Sequence, residues 1–223
     1  MHSRTTRRRS SRSRRGASVL EVTIAIALMG LAMGAVATTG DSMKSAYRTA
    51  DAVSVGDQRA RTAIRRIDEI LAVADASSVT PRIEAPFSST WIEFDTIAGF
   101  EGATAVAGDT QRLELRYSPG ELDNGVDDDG NGLVDECQLV WIRNVGQPDE
   151  SESTICTSLS EYLGGETLDG ADENGNGLAD ERGFCIEDDG GLLRVRLTVE
   201  IRTAKGLRVL RSVERTTALR MGT

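Results

Sequence analysis

Arg14-Arg15-Gly16-Ala17-Ser18-Val19-Leu20-Glu21-Val22, with the apolar run from Thr23 to Ala37 behind it, decides how this chain is read. A basic leader stops at a glycine, and an apolar stretch follows that can cross about 30 Å of hydrocarbon at about 1.5 Å per helical residue. Between Val19 and Ala37 the only charged residue is Glu21. A carboxylate at that depth is costly unless paired, which marks it as functional. An ordinary secretory signal has a shorter apolar core, a small-x-small site at its far end and no such glutamate.

Charge is distributed to match. All seven arginines from Arg4 to Arg15 precede the apolar stretch, and no acidic residue does. Without them the 26 basic residues fall to 19 against 35 acidic ones, so the remainder stands near −16. A basic block beside a membrane span stays cytoplasmic and sends the acidic domain to the other side. That surface argues against nucleic acid as a partner, since phosphate contact needs Lys and Arg. The single histidine is His2, in the leader. The rest has no imidazole for a triad, a neutral-pH base or a zinc site, and no enzyme is expected. Three cysteines, Cys137, Cys156 and Cys185, allow one bridge and leave one thiol over. Cys137 and Cys156 flank a hairpin and are the expected pair.

The helical period continues past the apolar run. Met43, Ala46, Tyr47, Ala50, Val53, Ala60, Ala63, Ile64, Ile67, Ile70, Leu71 and Ala74 recur at three- and four-residue steps, with arginines and acids on the other face. Gly40 and Gly56 would loosen this helix, and Pro81 ends it, with fraying near Ala76 to Ser78. From Trp91 the period falls to two. Trp91–Asp95, Arg112–Tyr117, Cys137–Arg143 and Leu193–Arg202 alternate as half-buried strands, and Ala204-Lys205-Gly206 turns the last into Leu207-Arg208-Val209. One long helix laid on an antiparallel sheet is an α+β fold.

Two acidic loops interrupt the strands, at 121–136 and 167–181. Leu122–Glu136 returns, one residue shorter, as Leu168–Glu181, with the shared core Asp-x-[Asp/Asn]-Gly-Asn-Gly-Leu-x-Asp-Glu. Hard cations such as calcium take six to eight oxygens from alternating side chains and carbonyls. The spacing offers Asp127, Asp129, Asn131, Asp135 and the carbonyl of Leu133 in the first loop. It offers Asp172, Asn174, Asn176, Asp180 and the carbonyl of Leu178 in the second. Glu136, Glu181, Asp123 and Asp169 could complete the shells. The pattern is similar to the calcium loops of EF-hands, dockerins and thrombospondin type 3 repeats. It departs where an EF-hand places its bidentate glutamate, because Gln138 and Gly183 stand there.

The N-terminal stretch resembles the class III signal of type IV pilins and type II secretion pseudopilins, carried by Gly16, Ser18, Val19, Leu20, Glu21 and the apolar run with Gly30. The resemblance implies cleavage between Gly16 and Ala17 by a prepilin peptidase, methylation of the new amine on Ala17, and a Glu21 that meets a neighbouring subunit's amine. Ala17 stands where the family usually has phenylalanine, and no proline interrupts Val36–Gly40. Both features point to a minor subunit, and the helix–sheet layout, the length and the amphipathic segment most resemble J-type pseudopilins and W-type minor pilins. The implied layout is a leader at 1–16, a transmembrane half-helix at 17–40, an amphipathic half at 41–80 and a sheet domain at 81–223. The implied partners are other pilin subunits and the inner membrane, with the C-terminal domain periplasmic or extracellular. The rival is a membrane-tethered, calcium-dependent binding module that never polymerises.

Overall fold

The computed structural model describes residues 18–81, 88–102, 104–188, 192–203 and 206–219. Gly16, Ala17 and the arginine leader lie outside the described residues, as do Ala204 and Lys205 of the expected turn. A single helix, α1, runs Val19–Leu71, passing through Gly40 and Gly56 without a break. Ser18 caps it. Its Oγ accepts from the Glu21 amide at 3.3 Å, and its own amide donates to Glu21 Oε2 at 2.9 Å. This reciprocal Ser-x-x-Glu arrangement satisfies two amides that a helix start otherwise leaves open.

The chain divides into two compact units after Tyr47. In the first, Val19, Leu20, Ile24, Ile26, Leu28, Leu31, Met33 and Val36 are all exposed. The most apolar window has mean hydropathy 2.2, and none of it is buried. The hydroxyls of Thr23, Thr38, Thr39 and Ser42 donate to carbonyls three or four residues back. An apolar surrounding therefore leaves none of these hydroxyls stranded.

In the second unit α1 buries a narrow stripe, Ala52, Gly56, Ala60, Ala63, Ile67, Ile70 and Leu71. The expected face began at Met43, yet Met43 and Tyr47 are 70% and 77% exposed. Small residues in the stripe let the helix lie close to the sheet. A Cβ on Gly56 would stand 3.0 Å from Arg211 Cγ and 3.1 Å from Ile201 Cδ1. Further along, the fully buried Ile67 and Leu71 each contribute about 1.5–3 kcal/mol of apolar burial. Asp68 ties the helix to the last strand through Arg215 at 3.0 Å and Thr217 at 2.6 Å.

The helix stops at Leu71, before the expected fraying near Ala76 to Ser78. Asp75 accepts from the amide and hydroxyl of Ser77, both at 2.9 Å, a local bond that competes with helical pairing. The segment then runs beside the second strand, with Asp75 donating to Asp95 and Thr80 exchanging bonds with Glu93.

Among the described residues eight strands form one antiparallel sheet: β1 Ser88–Ser89, β2 Trp91–Glu101, β3 Thr104–Tyr117, β4 Cys137–Arg143, β5 Ser151–Leu159, β6 Phe184–Asp188, β7 Leu193–Arg202 and β8 Arg208–Thr217. The order is β1-β6-β7-β5-β4-β3-β2, with β8 on β7. With the helix across it, the architecture is α+β and pilin-like. The four expected strands and the β7–β8 hairpin are present, and β1, β5 and β6 add to them. Phe94, Leu113, Leu139, Leu159, Phe184, Ile186, Val195, Leu197 and Val199 form the core with Ala60, Ala63, Ile67 and Leu71.

The expected Cys137–Cys156 bridge is not formed. All three cysteines are free and buried. The β4–β5 register sets Cys137 against Leu159 and Cys156 against Leu139, so the two thiols are offset across the ladder. Cys137 Sγ turns to the Asp135 carbonyl, and Cys156 Sγ to that of Thr157. Burial pushes the Cys137 thiol up to about 12 and the Cys156 thiol up to about 11.

Candidate metal centre

Loop 1 leaves β3 after Tyr117 and returns at Cys137, which pairs with Tyr117 across the ladder. Loop 2 leaves β5 after Leu159 and returns at Phe184, beside β7. Both are built by side chains that bond their own backbone. Asp127 accepts from the amides of Gly130 at 2.7 Å and Gly132 at 2.8 Å. Asp172 does the same for Gly175 at 2.6 Å and Gly177 at 2.7 Å. Asp135 accepts from Asn124 and Gly125, and Asp180 from Asp169 and Gly170. Asp135 and Asp180 both adopt positive φ, 50° and 55°, a region that short polar side chains tolerate best.

These bonds correct the alignment of the repeat. The two loops superpose at a constant spacing of 45 residues, from Tyr117 and Tyr162 to Glu136 and Glu181, with no deletion. Leu122 therefore matches Thr167, not Leu168. The glutamates Glu121 and Glu166 enter the repeat at its start. Glu121 accepts from the amides of Asp129 at 3.0 Å and Asp135 at 3.2 Å. Glu166 accepts from the matching amides of Asn174 and Asp180, both at 3.1 Å. Sequence reasoning passed over both residues because it matched the two leucines. Carrying the Asp-Gly-Asn-Gly register outward would have found them.

In loop 1, one carboxylate oxygen from each of Glu121, Asp129 and Glu136 lies within 4.8 Å of the others. Glu121 and Glu136 are buried, at 5% and 2% exposure. Glu136 Oε1 accepts from Asn131 Nδ2 at 2.6 Å, while Oε2 is buried with no hydrogen-bond partner among the described residues. Burial is the chief cause that raises the Glu136 carboxyl above the ordinary range, and the nearby Glu121 and Asp129 add to it. In loop 2, Glu181 Oε1 accepts from Asn176 Nδ2, and Glu181 Oε2 is buried without a partner in the same way. Burial likewise raises Glu166.

No known family, curated protein or solved structure gives a match to this chain.

The carboxylate cluster is thus a site of hard oxygens that could hold a metal ion. Of the expected ligands, Asp129 and Glu136 are in it. Asp127, Asn131, Asp135, Asp172, Asn176 and Asp180 bond the loop backbone instead, and Asp123 is exposed outside the cluster. Asn174 and Asp169 close short turns onto Asn176 and Ala171. The Leu133 side chain is buried, at 7% exposure. At the N-terminus, the structure places Glu21 on the Ser18 cap.

The two loops meet at Arg182. Its guanidinium lies 5.3 Å over the Tyr117 ring and 5.1 Å over the Tyr162 ring. It also pairs with Glu161 at 3.0 Å.

Proposed function

We propose that the chain is a minor pilin or pseudopilin, a structural subunit of a type IV pilus or type II secretion pseudopilus, stiffened by calcium. The observation that carries this reading is α1 itself. It is one helix whose first half is apolar and exposed, with Glu21 the single carboxylate of the run from Val19 to Ala37, and whose second half packs on the sheet. An apolar face of that length has two stable surroundings, lipid and a bundle of like helices. In this reading the span holds the subunit in the inner membrane until assembly, with the leader cytoplasmic. Prepilin peptidase removes the residues up to Gly16, and Ala17 carries the methylated amine. Glu21 then exchanges its bond to the Ser18 amide for the amine of a neighbouring subunit. No catalytic role is assigned, because the only imidazole belongs to the leader.

The deciding experiment is intact-mass analysis of the membrane-extracted protein. Loss of residues 1–16 with one added methyl group supports the filament reading. A chain that keeps its leader excludes it and favours the tethered calcium-dependent module, whose support is the buried carboxylate cluster of loop 1. Calcium is preferred to magnesium in either reading, since magnesium takes fewer protein ligands in stricter geometry.

A further inference from the structure

The loops share a backbone but differ in what faces the central glutamate. In loop 1 the three converging groups are Glu121, Asp129 and Glu136. At the matching positions loop 2 has Glu166, Asn174 and Glu181, so one carboxylate is replaced by an amide. The surroundings differ as well. Arg196, on β7, brings Nη1 to 3.7 Å from Glu181 Oε1. Its side chain is 12% exposed and also pairs with Glu187 at 2.8 Å and Glu214 at 2.9 Å. Arg196 shares an open cavity of about 290 Å³ with Asn174 and Asn176, so its guanidinium faces loop 2. Beside loop 1 stands the exposed Arg202, whose Cδ would lie 3.6 Å from a Cβ on Gly132. It makes no ion pair with loop 1 among the described residues.

We infer that the repeat is functionally split: loop 1 holds a divalent calcium ion between Glu121, Asp129 and the unpartnered oxygen of Glu136, whereas loop 2, with one carboxylate fewer and Arg196 beside Glu181, binds calcium much more weakly. This rests on the calcium reading above and adds which loop binds and through which groups. The buried, unpartnered Glu136 oxygen is the independent pointer to a ligand, because an ionised oxygen out of water calls for a cation or a donor. Glu181 has the same oxygen, but its carboxylate already meets a guanidinium. Calcium affinity follows the number of charged ligands, so the missing carboxylate and the added cation act in one direction.

The test is calorimetric titration of calcium chloride into the chelator-stripped full chain in detergent. The native protein should show one tight site and a second at least about tenfold weaker. Asp129→Asn should weaken the tight site by a similar factor, and Asn174→Asp should tighten the weak one. Glu136→Gln should remove the tight phase, while Glu181→Gln should leave it in place. Two indistinguishable sites, or a tight phase lost in Glu181→Gln and kept in Glu136→Gln, overturn the split and leave the calcium reading standing. No binding at either loop overturns both. The filament reading is judged apart from this, on the processed mass.

Discussion

Arg182 donates from Nη2 to the Tyr117 hydroxyl at 2.8 Å, so the residue that closes loop 2 grips the residue that opens loop 1. Tyr117 passes the bond on to Glu161 at 3.1 Å, and Arg182 reaches the same oxygen at 3.0 Å. Arg182→Ala removes charged hydrogen bonds and two ring contacts at once. The expected loss is about 2 kcal/mol, from the magnitude of hydrogen bonds to charged groups. Arg182→Lys should recover less than half of it, because an ammonium cannot reproduce the planar fork. Denaturant unfolding of the full chain in detergent measures both, and equal stability of all three proteins would refute the bridge.

Glu21 accepts from the Ser18 amide at 2.9 Å, and in the filament reading proposed above it would exchange that bond for a neighbour's amine on assembly. The two roles separate by substitution. Glu21→Gln keeps a carbonyl oxygen for the cap and removes the charge, and Glu21→Ala removes both. Both variants should insert and be cleaved, and both should be depleted from sheared filaments. Recovery of Glu21→Gln at the native level would reduce Glu21 to a capping residue.

Asp135 bears on loop order through its own geometry. Its carboxylate holds the Asn124 and Gly125 amides, and its φ of 50° is one that Asn also adopts readily. Asp135→Asn should cost under about 1 kcal/mol. Asp135→Ala should cost about 1–3 kcal/mol, since it strands two amides and keeps the strained backbone. Hydrogen exchange at Asn124 and Gly125 reports the change directly. Unaltered protection in Asp135→Ala would show that other groups hold the loop.

Cys156 gives a pH signature. Its folded value, about 11, lies above its ordinary 9.0 because the thiolate is disfavoured by burial. The neutral thiol's contribution is therefore fully present below about pH 9 and lost as pH rises towards 11. Cys156→Ala should flatten stability over that window. At pH 8 iodoacetamide should label the native thiol slowly and the denatured one at once. Rapid native labelling would contradict its burial.

The long helix and the alternating strands were legible because their periods are long and regular. Ile67, Leu71, Val195, Leu197 and Val199 announce their faces in the sequence. The strand β5, Ser151–Leu159, was not legible, since its serines, threonines and glutamate offer little apolar alternation and neighbouring strands hold it in place. The end of α1 was missed because Asp75 sets a turn through a side chain, which periodicity does not register. At the candidate metal centre the acidic repeat was plain, but of its carboxylates only those of Glu121, Asp129 and Glu136 converge, and Glu121 and Asp129 hold loop amides as well. Composition cannot separate Asp127 from Asp129, since both accept loop amides; only the approach of Asp129 to Glu121 and Glu136 does. The cysteine pairing failed for a related reason, as a two-residue offset in register decides it.

The gapless spacing of the two loops has a consequence for descent. Each loop satisfies its amides from within, from Glu121 to Asp135 in one and from Glu166 to Asp180 in the other. A unit so closed can be copied into another strand junction without altering the strands that receive it. Two such units can also differ without disturbing each other's backbone, one with a third carboxylate at Asp129 and the other with Asn174 and a neighbouring arginine. The chain carries two versions of one closed unit side by side, so each loop serves as the control for the other within a single molecule.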